Sequence, residues 1–376
     1  MNIPLTSPDL TTPAFLVEES AVRRNCDAMR EKARRSGVGF RPHMKTHKTL
    51  EVARMQTGSE GGPITVSTLA EAEFFAAGGF DDITYAVPVS PDKLARVAAI
   101  SAGIKRLNVL IDSFEALRAM EEFHARHGNG FHVFLKVDCG YHRAGVDPES
   151  PESVQLAQSM AGSKAVHFEG LLTHAGHSYH AHGVQEILRT ADQETSVLTR
   201  FRERLASQGI SHLLRSTGST PTTSVVERIT DTDEIRPGNY VFFDAFQAGI
   251  GACDLSQCAV SVLASVIGCY PRYGHLLVDA GALALSKDPG PDHMDSGCGF
   301  GVVSDLELRR LPLKLTGLSQ EHGRIEGPGE VIARLPVGTR LRIMPNHSCL
   351  TAAMFDAYQV VRDGMIVAQW KPVRGW

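Results

Sequence analysis

From residue 38 to residue 217 the chain repeats one phrase, a short apolar run followed by an Ala- and Leu-rich stretch of helical periodicity. VGFRPHM leads into TLEVARMQ, PITVST into LAEAEFFAAGG, DDITYAVPV into PDKLARVAAISAG and LNVLID into SFEALRAMEEFHARHG. FHVFLKVD passes through a loop into SVQLAQSMAG, and HFEGLLTH into QEILRTADQETSVLTRFRERLASQG. Few folds accept this rhythm, because parallel strands need long crossover connections and those crossovers are right-handed. With SHLLRST, AFLVEE and YVFFDA the candidate strands number eight or nine, which predicts an α/β fold built on a (β/α)8 TIM-like barrel. A doubly wound open sheet is the alternative.

After about residue 250 the texture changes. AVSVLASVIGCY, HLLVDAGALAL, LELRRLPLKLTGLS, RLRIMPNHSC and YQVVRDGMIVAQW are β-branched or alternating runs separated by Gly, Pro and Asp, and RDG is a strong hairpin turn. A second, mainly antiparallel β domain is predicted over 249–376. The barrel is assigned to 14–248, with a boundary near QAGIGACDLS, and residues 1–13 are expected to associate with the β domain.

At 376 residues the chain is long enough for two such bodies. A net charge of -4 and 21% charged residues leave no electrostatic footprint for nucleic acid or an anionic membrane. No apolar run reaches the roughly 20 residues of a membrane helix, and MNIPLTSPDLTTPAFLVEES lacks a basic segment followed by a long apolar one, so a cytoplasmic protein is expected. The seven cysteines, at 26, 139, 253, 258, 269, 298 and 349, include no CxxC pair, which argues against a disulfide framework.

In a parallel barrel the strands' C-terminal ends form the active face, so polar residues closing each apolar run are inspected first. Lys45 with His43, His47 and Lys48 follows the first run; Asp138 and Arg143 lie in VDCGYHRAG, His174 closes GLLTH, and 216–220 close HLLRSTGST. Each alone is weak: RPHMKTHK reads equally as a solvated basic loop, and STGSTPTTS as a simple turn or a phosphate cradle. The absence of GxxxxGK[ST] and of GxGxxG after the first strand disfavours nucleoside triphosphates and dinucleotides. A lysine at a barrel mouth with a phosphate cradle on the same face suggests a covalent anchor for pyridoxal 5'-phosphate.

RPHMKTHK, DCGYHRAG, LTHAGHSY, STGSTP and RPGNYVFFD, in this order, resemble the alanine racemase-like pyridoxal phosphate enzymes, and within them the D-serine dehydratase and D-threonine aldolase family. The resemblance extends from TTPAFLVEESAVRRN to WKPVRGW. It implies that Lys45 carries the cofactor, that Arg143 faces its phenolic oxygen, and that His174 stacks on its ring. It further implies that Gly218, Ser219, Gly238 and Asn239 hold the phosphate, with Tyr179 as a further contact. Alanine racemases place an arginine facing the ring nitrogen where this chain has Ser216, so a cationic partner for that nitrogen is not evident.

PNHSC, residues 345–349, offers an imidazole and a thiol two positions apart, which in a strand share a face and can bind one metal. HxC is a weak motif by spacing alone. The resemblance implies a catalytic metal on His347 and Cys349; a thiolate ligand favours Zn2+, whereas the Asp of the aldolases at that position suits Mn2+ or Mg2+. Glu321 or His322 in SQEHG reads as either a turn residue or a neighbour of the metal ligands. The expected function is a zinc-dependent D-serine dehydratase acting on a small D-amino acid with a β-hydroxyl, as a homodimer. The alternatives are a metal-dependent D-threonine aldolase and a D-3-hydroxyaspartate dehydratase or aldolase. A non-enzymatic cofactor carrier is disfavoured by the β domain with HSC, and an alanine racemase by the lack of an assignable second-face tyrosine.

Overall fold

The computed structural model describes residues 2–58, 61–294, 297 and 299–376. Cys298, one of the seven cysteines, lies outside them. The chain forms two compact units, Asp27–Gly238 with Val373–Trp376, and Met1–Cys26 with Asn239–Pro372.

In the first unit eight parallel strands run Gly39–Phe40, Ile64–Val66, Asp82–Pro88, Arg106–Ile111, Phe131–Lys136, Val166–Leu172, Leu214–Thr217 and Glu234–Ile235. From Ile64–Val66 onward each pairs with its successor, the last pairs with the first, and an isolated parallel bridge between His43 and Thr65 closes the ring. This is the expected TIM-like barrel. Ile64, Val66, Ile83, Leu107, Val109, Val133 and Leu171 pack with Phe75, Met120, Met160, Leu198 and Phe201 of the surrounding helices in one apolar core. Local sequence starts and stops the helices where the barrel needs them. The Thr68 hydroxyl accepts from Glu71 N–H at 3.0 Å and the Ser113 hydroxyl from Ala116 N–H at 3.3 Å, each cap contributing about 1 kcal/mol. Gly58 and Gly128 end their helices at φ 70° and 73°.

Two expected barrel strands lie elsewhere. Ala14–Glu18 pairs antiparallel with Val260–Tyr270 and parallel with Tyr358–Arg362, in the second unit. YVFFDA is not a strand: Asn239–Val241 is a 3-10 turn, Phe243 has φ 47°, and Asp244 caps the helix Ala245–Gly249 through Gln247 N–H at 3.0 Å. Its apolar side chains are buried because Phe242 packs on Phe15 and Tyr358, with centroids 6.1 and 6.4 Å apart. The eighth barrel strand is Glu234–Ile235, two residues too short to show a period. The second unit accordingly begins at Asn239 instead of residue 249, and it holds the first 26 residues.

That unit is a ten-stranded, mostly antiparallel sheet. Val260–Tyr270 is long enough to pair with Arg340–Pro345 as well as with His275–Val278, so six of the strands close into a barrel of their own. The RDG hairpin joins Tyr358–Arg362 to Met365–Trp370, with Asp363 at φ 49° and Gly364 at φ 74°, the two left-handed positions of a type I′ turn. Among the described residues no helix is long and apolar enough to cross a membrane.

Candidate active site

Lys45 sits half-buried in a 3-10 turn, Met44–Thr46, at the end of the first barrel strand. His43 caps this turn by accepting from Lys45 N–H at 3.3 Å, and its own N–H donates to Pro237 O at 2.9 Å. Gly238 is required beside it, since a Cβ there would lie 2.9 Å from the Cβ of His43. The lysine turn and the RPG loop are thereby clamped together. His47 is structural: it bonds Gln56 Oε1 at 2.7 Å and accepts from Thr49 N–H at 3.0 Å, and burial drives it down to about 3 against those bonds. Lys48 pairs with the buried Glu71 at 2.9 Å.

His43 and His174 are both held well below the usual histidine range, first by burial and then by the charge of Lys45. Arg143, Lys136 and Arg236 add to the field on His174. Tyr141 links two of these groups, its ring edge-on to His174 at 6.4 Å and beneath the Arg143 guanidinium at 5.2 Å. Tyr179 is half-buried in the turn Gly176–His180, next to Ser178, whose hydroxyl lies 2.9 Å from that of Ser219. Gly218 has φ 102° and donates its N–H to Glu194 Oε1 at 3.1 Å; Ser219 N–H donates to Thr222 Oγ1 at 3.1 Å. Those two amides are already engaged, by Glu194 of the helix Val184–Ala206 and by Thr222, so it is the hydroxyls of Ser178, Ser219 and Thr222 that cluster there.

Sequence reasoning missed Arg236. It is buried, and it donates to the Ser216 hydroxyl and to Thr173 O. Ser216 passes its own proton toward Glu234 Oε1 at 2.5 Å, and Glu234 is held by Arg41 at 2.9 Å, which also pairs with Asp82 at 2.6 Å. Burial lowers Arg236 to about 10 despite Glu234 and Glu194. A guanidinium therefore does reach the Ser216 position, from just past the end of the neighbouring strand Glu234–Ile235. Glu194, buried, is raised by burial against the amides of Gly218 and Ala175 and the charge of Arg236. Lysine, arginines and a hydroxyl cluster around one barrel end fit an anionic, phosphorylated carbonyl cofactor.

In the second unit His347 and Cys349 are not in a strand. His347 caps the helix Ser348–Ala353, and Cys349 lies in its first turn. The pair still meets, in a side-chain hydrogen bond. His347 Nδ1 lies 2.9 Å from Asp288 Oδ2. Burial opposes its charged form, but the bonds to Asp288 and Cys349 and the charges of Cys349 and Asp244 push it up to about 11. Asp244 is buried; it accepts from Ser348 N–H at 2.9 Å and from Asn239 Nδ2 at 2.7 Å. The Asn239 side chain also donates to Ser348 Oγ at 2.9 Å and to Cys349 Sγ at 3.6 Å, so its amide belongs to this loop. Glu321 and His322 lie exposed on the turn between Arg310–Leu318 and Gly323–Glu326. Among the described residues no three His, Cys, Asp or Glu side chains form a complete metal set. His347 and Cys349, with the Asp288 carboxylate behind the histidine, form a pair whose acidic surroundings would fit a cation.

Two family descriptions match the chain, "Alanine racemase, N-terminal domain" over residues 17–245 and a serine dehydratase domain over 259–361. The D-serine dehydratase of Dictyostelium discoideum is 38% identical, covering 98% of each chain. The solved D-threo-3-hydroxyaspartate dehydratase from Delftia sp. HT23 superposes with a TM-score of 0.93 at 36% identity, covering 100% of both chains. The 3-hydroxy-D-aspartate aldolase of Paracoccus denitrificans is 26% identical over 96% of this chain and 91% of its own. The chain belongs to the D-serine dehydratase and D-threonine aldolase family. It is a pyridoxal phosphate-dependent lyase with the alanine racemase-like fold.

Proposed function

We propose that the chain is a zinc-dependent D-serine dehydratase, converting D-serine to pyruvate and ammonia by elimination of the β-hydroxyl. The observation that carries this reading is the His347–Cys349 pair backed by Asp288. With Nδ1 on the carboxylate, Nε2 is the nitrogen left for a metal shared with the Cys349 thiolate, a donor set that suits Zn2+. When bound, the metal supplies Lewis acidity for a hydroxyl that is otherwise a poor leaving group. The cofactor, when bound, supplies an electron sink for the Cα–H bond.

The chain's own residues divide the remaining work. Lys45 Nζ would hold the cofactor, and as a free amine it would take the proton from Cα. His174, kept neutral by burial and nearby cations, contributes ring contact without adding charge, and Arg143 and Tyr141 orient the phenolic edge. Arg236 donates to the Ser216 hydroxyl, and this pair would face the ring nitrogen of the bound cofactor. The hydroxyls of Ser178 and Ser219, with the tight backbone at Gly218 and Gly238, take the phosphate. Asn239 holds the metal loop through its side chain and leaves only its backbone for the phosphate.

D-threo-3-hydroxyaspartate is the second reading. It is favoured by the cations acting on His174, which suit a second substrate carboxylate, and by the Delftia enzyme's 36% identity beside the 38% of the D-serine enzyme. A homodimer is proposed as well, because Leu283, Leu350 and Met354 are 54, 44 and 41% exposed on the short helices around the His347 loop. A cytoplasmic location suits a thiol ligand that must stay reduced. Purified, zinc-loaded protein given D-serine, D-threo-3-hydroxyaspartate and D-threonine separately tests the reading. Keto acid with matching ammonia from D-serine is expected; glycine and an aldehyde from D-threonine, with no keto acid from D-serine, would make it an aldolase. Cys349→Asp is expected to weaken zinc retention by about 10-fold or more and to shift metal preference toward Mn2+. Unchanged metal content would remove Cys349 from the ligand set.

A further inference from the structure

The helix Val184–Ala206 buries one stripe, in which Ile187, Ala191, Glu194, Leu198, Phe201 and Leu205 recur at helical spacing. Glu194 stands in that stripe where a hydrophobe belongs, and it is 2% exposed. A carboxylate is costly to bury unless its oxygens are bonded. Among the described residues Glu194 forms no ion pair, and its two hydrogen bonds converge on one atom: Oε1 accepts from Ala175 N–H at 3.1 Å and from Gly218 N–H at 3.1 Å. Ala175 follows His174 beyond the strand Val166–Leu172, and Gly218 precedes Ser219 beyond the strand Leu214–Thr217. The helix that connects these two strands thus ties their far ends together through a single oxygen. The same two loops meet again where the Ser178 and Ser219 hydroxyls lie 2.9 Å apart. That second tie is conditional, because each hydroxyl has one proton, and once both donate to a phosphate neither can donate to the other. The tie through Glu194 uses backbone protons only and is independent of any ligand.

We infer that Glu194 is a positioning residue of the lyase: it fixes the separation of the His174 turn and the Gly218–Ser219 loop, so that ring contact and phosphate cradle fit one cofactor at once. The inference rests on the reading of this barrel end as the cofactor cradle. Glu194 acts through the two amides, and what that role requires is an acceptor at this place. An amide oxygen there meets the requirement. A hydrocarbon side chain suits the stripe but leaves two buried N–H groups without partners. Removing the acceptor therefore loosens the cofactor while the helix keeps its packing, the reverse of what an ordinary core truncation does.

The test compares Glu194→Leu, Glu194→Gln and Leu198→Ala as holoenzymes, by the rate at which the visible cofactor band is lost on dialysis, by the circular dichroism of that band, and by Tm. Glu194→Leu is expected to lose the cofactor about 10-fold faster, the scale of one to two hydrogen bonds, and to show a weaker dichroic band because the ring is no longer held at one angle. Glu194→Gln should recover most of both losses. Leu198→Ala, four residues on in the same stripe and buried, should lower Tm and leave both cofactor readouts unchanged. Unchanged retention and dichroism in Glu194→Leu would overturn the inference. So would a Glu194→Gln that loses cofactor as fast as Glu194→Leu. Should Glu194→Leu fail to fold, Glu194→Met, an unbranched chain with no oxygen, takes its place with the same expected and overturning results. Borohydride reduction and peptide mapping of the unsubstituted holoenzyme separate this inference from the reading beneath it. Label on Lys45 together with an indifferent Glu194→Leu rejects the clamp alone, whereas label on a lysine outside this barrel end rejects the reading and the clamp with it.

Discussion

The two units treat histidine in opposite ways. At the barrel end His43 and His174 are driven below their usual range, because burial disfavours the imidazolium and Lys45, Lys136, Arg143 and Arg236 already supply positive charge. In the β unit His347 is driven up, because Asp288, Asp244 and Cys349 outweigh its burial. Burial is common to both, so the sign is set by the neighbours' charge. A barrel end rich in cations is prepared for an anion, and a loop rich in acids and a thiol is prepared for a cation. That is the division of labour the proposed zinc-dependent reaction would require.

The largest effect is expected from Lys45→Ala, which should remove the visible cofactor band and lower turnover by at least about a thousand-fold, the range of a lost acid-base group. The rival is Lys136, buried on the same face and lowered by burial to about 8. Borohydride reduction followed by peptide mapping separates the two. Cofactor fixed on Lys136 in the unsubstituted protein would break the assignment of Lys45 and with it the picture of a neutral His174 beside the anchor.

Asp288→Asn attacks the other side of the contrast. It keeps the shape but removes the charge behind His347, and metal affinity should fall by about 10- to 100-fold. The cofactor band should be unchanged; a band that shifted would show that the charge pattern of the loop is not local to it. The pH dependence of the metal-free protein sharpens this further. With the folded value raised from 6.5 to about 11, protonated His347 contributes stability that is complete below about pH 6.5 and is lost as pH rises toward 11. Thermal unfolding from pH 6 to 10 should therefore show a falling midpoint that His347→Gln flattens. Metal binding must displace the same proton, so apparent affinity should rise with pH over that window.

What was legible in the sequence follows from how local each signal is. The strand-helix rhythm survives translation into structure because each period is decided by neighbours a few residues apart. Glu234–Ile235 was invisible because two residues carry no period, and YVFFDA looked like a strand because an apolar run says only that it is buried. The site shows the same rule. Lys45, His347 and Cys349 stand in recognisable strings, but the groups that set their charge do not. Asp288 is 59 positions from His347, and Arg236 reaches Ser216 across 20 positions, from the loop after a different strand. Only the closing of each barrel brings those partners in.

The smallest effect separates glycines by what surrounds them. Gly364 sits at φ 74° with nothing within 4 Å of an added Cβ, so Gly364→Ala meets only the left-handed backbone penalty, about 1 kcal/mol, or about 2–4 °C in Tm for a unit of this size. Turnover and cofactor binding should be unchanged. Gly238 has the opposite problem: its φ is ordinary, but a Cβ would lie 2.9 Å from that of His43 and 3.1 Å from its carbonyl oxygen. Gly238→Ala must push the RPG loop off the lysine turn, so it should weaken cofactor retention by more than its loss of Tm predicts. Measuring both quantities in both variants distinguishes strain that a β-hairpin absorbs from strain passed directly to Lys45. Equal loss of cofactor in the two would mean that the clamp between His43 and Gly238 does not position the anchor.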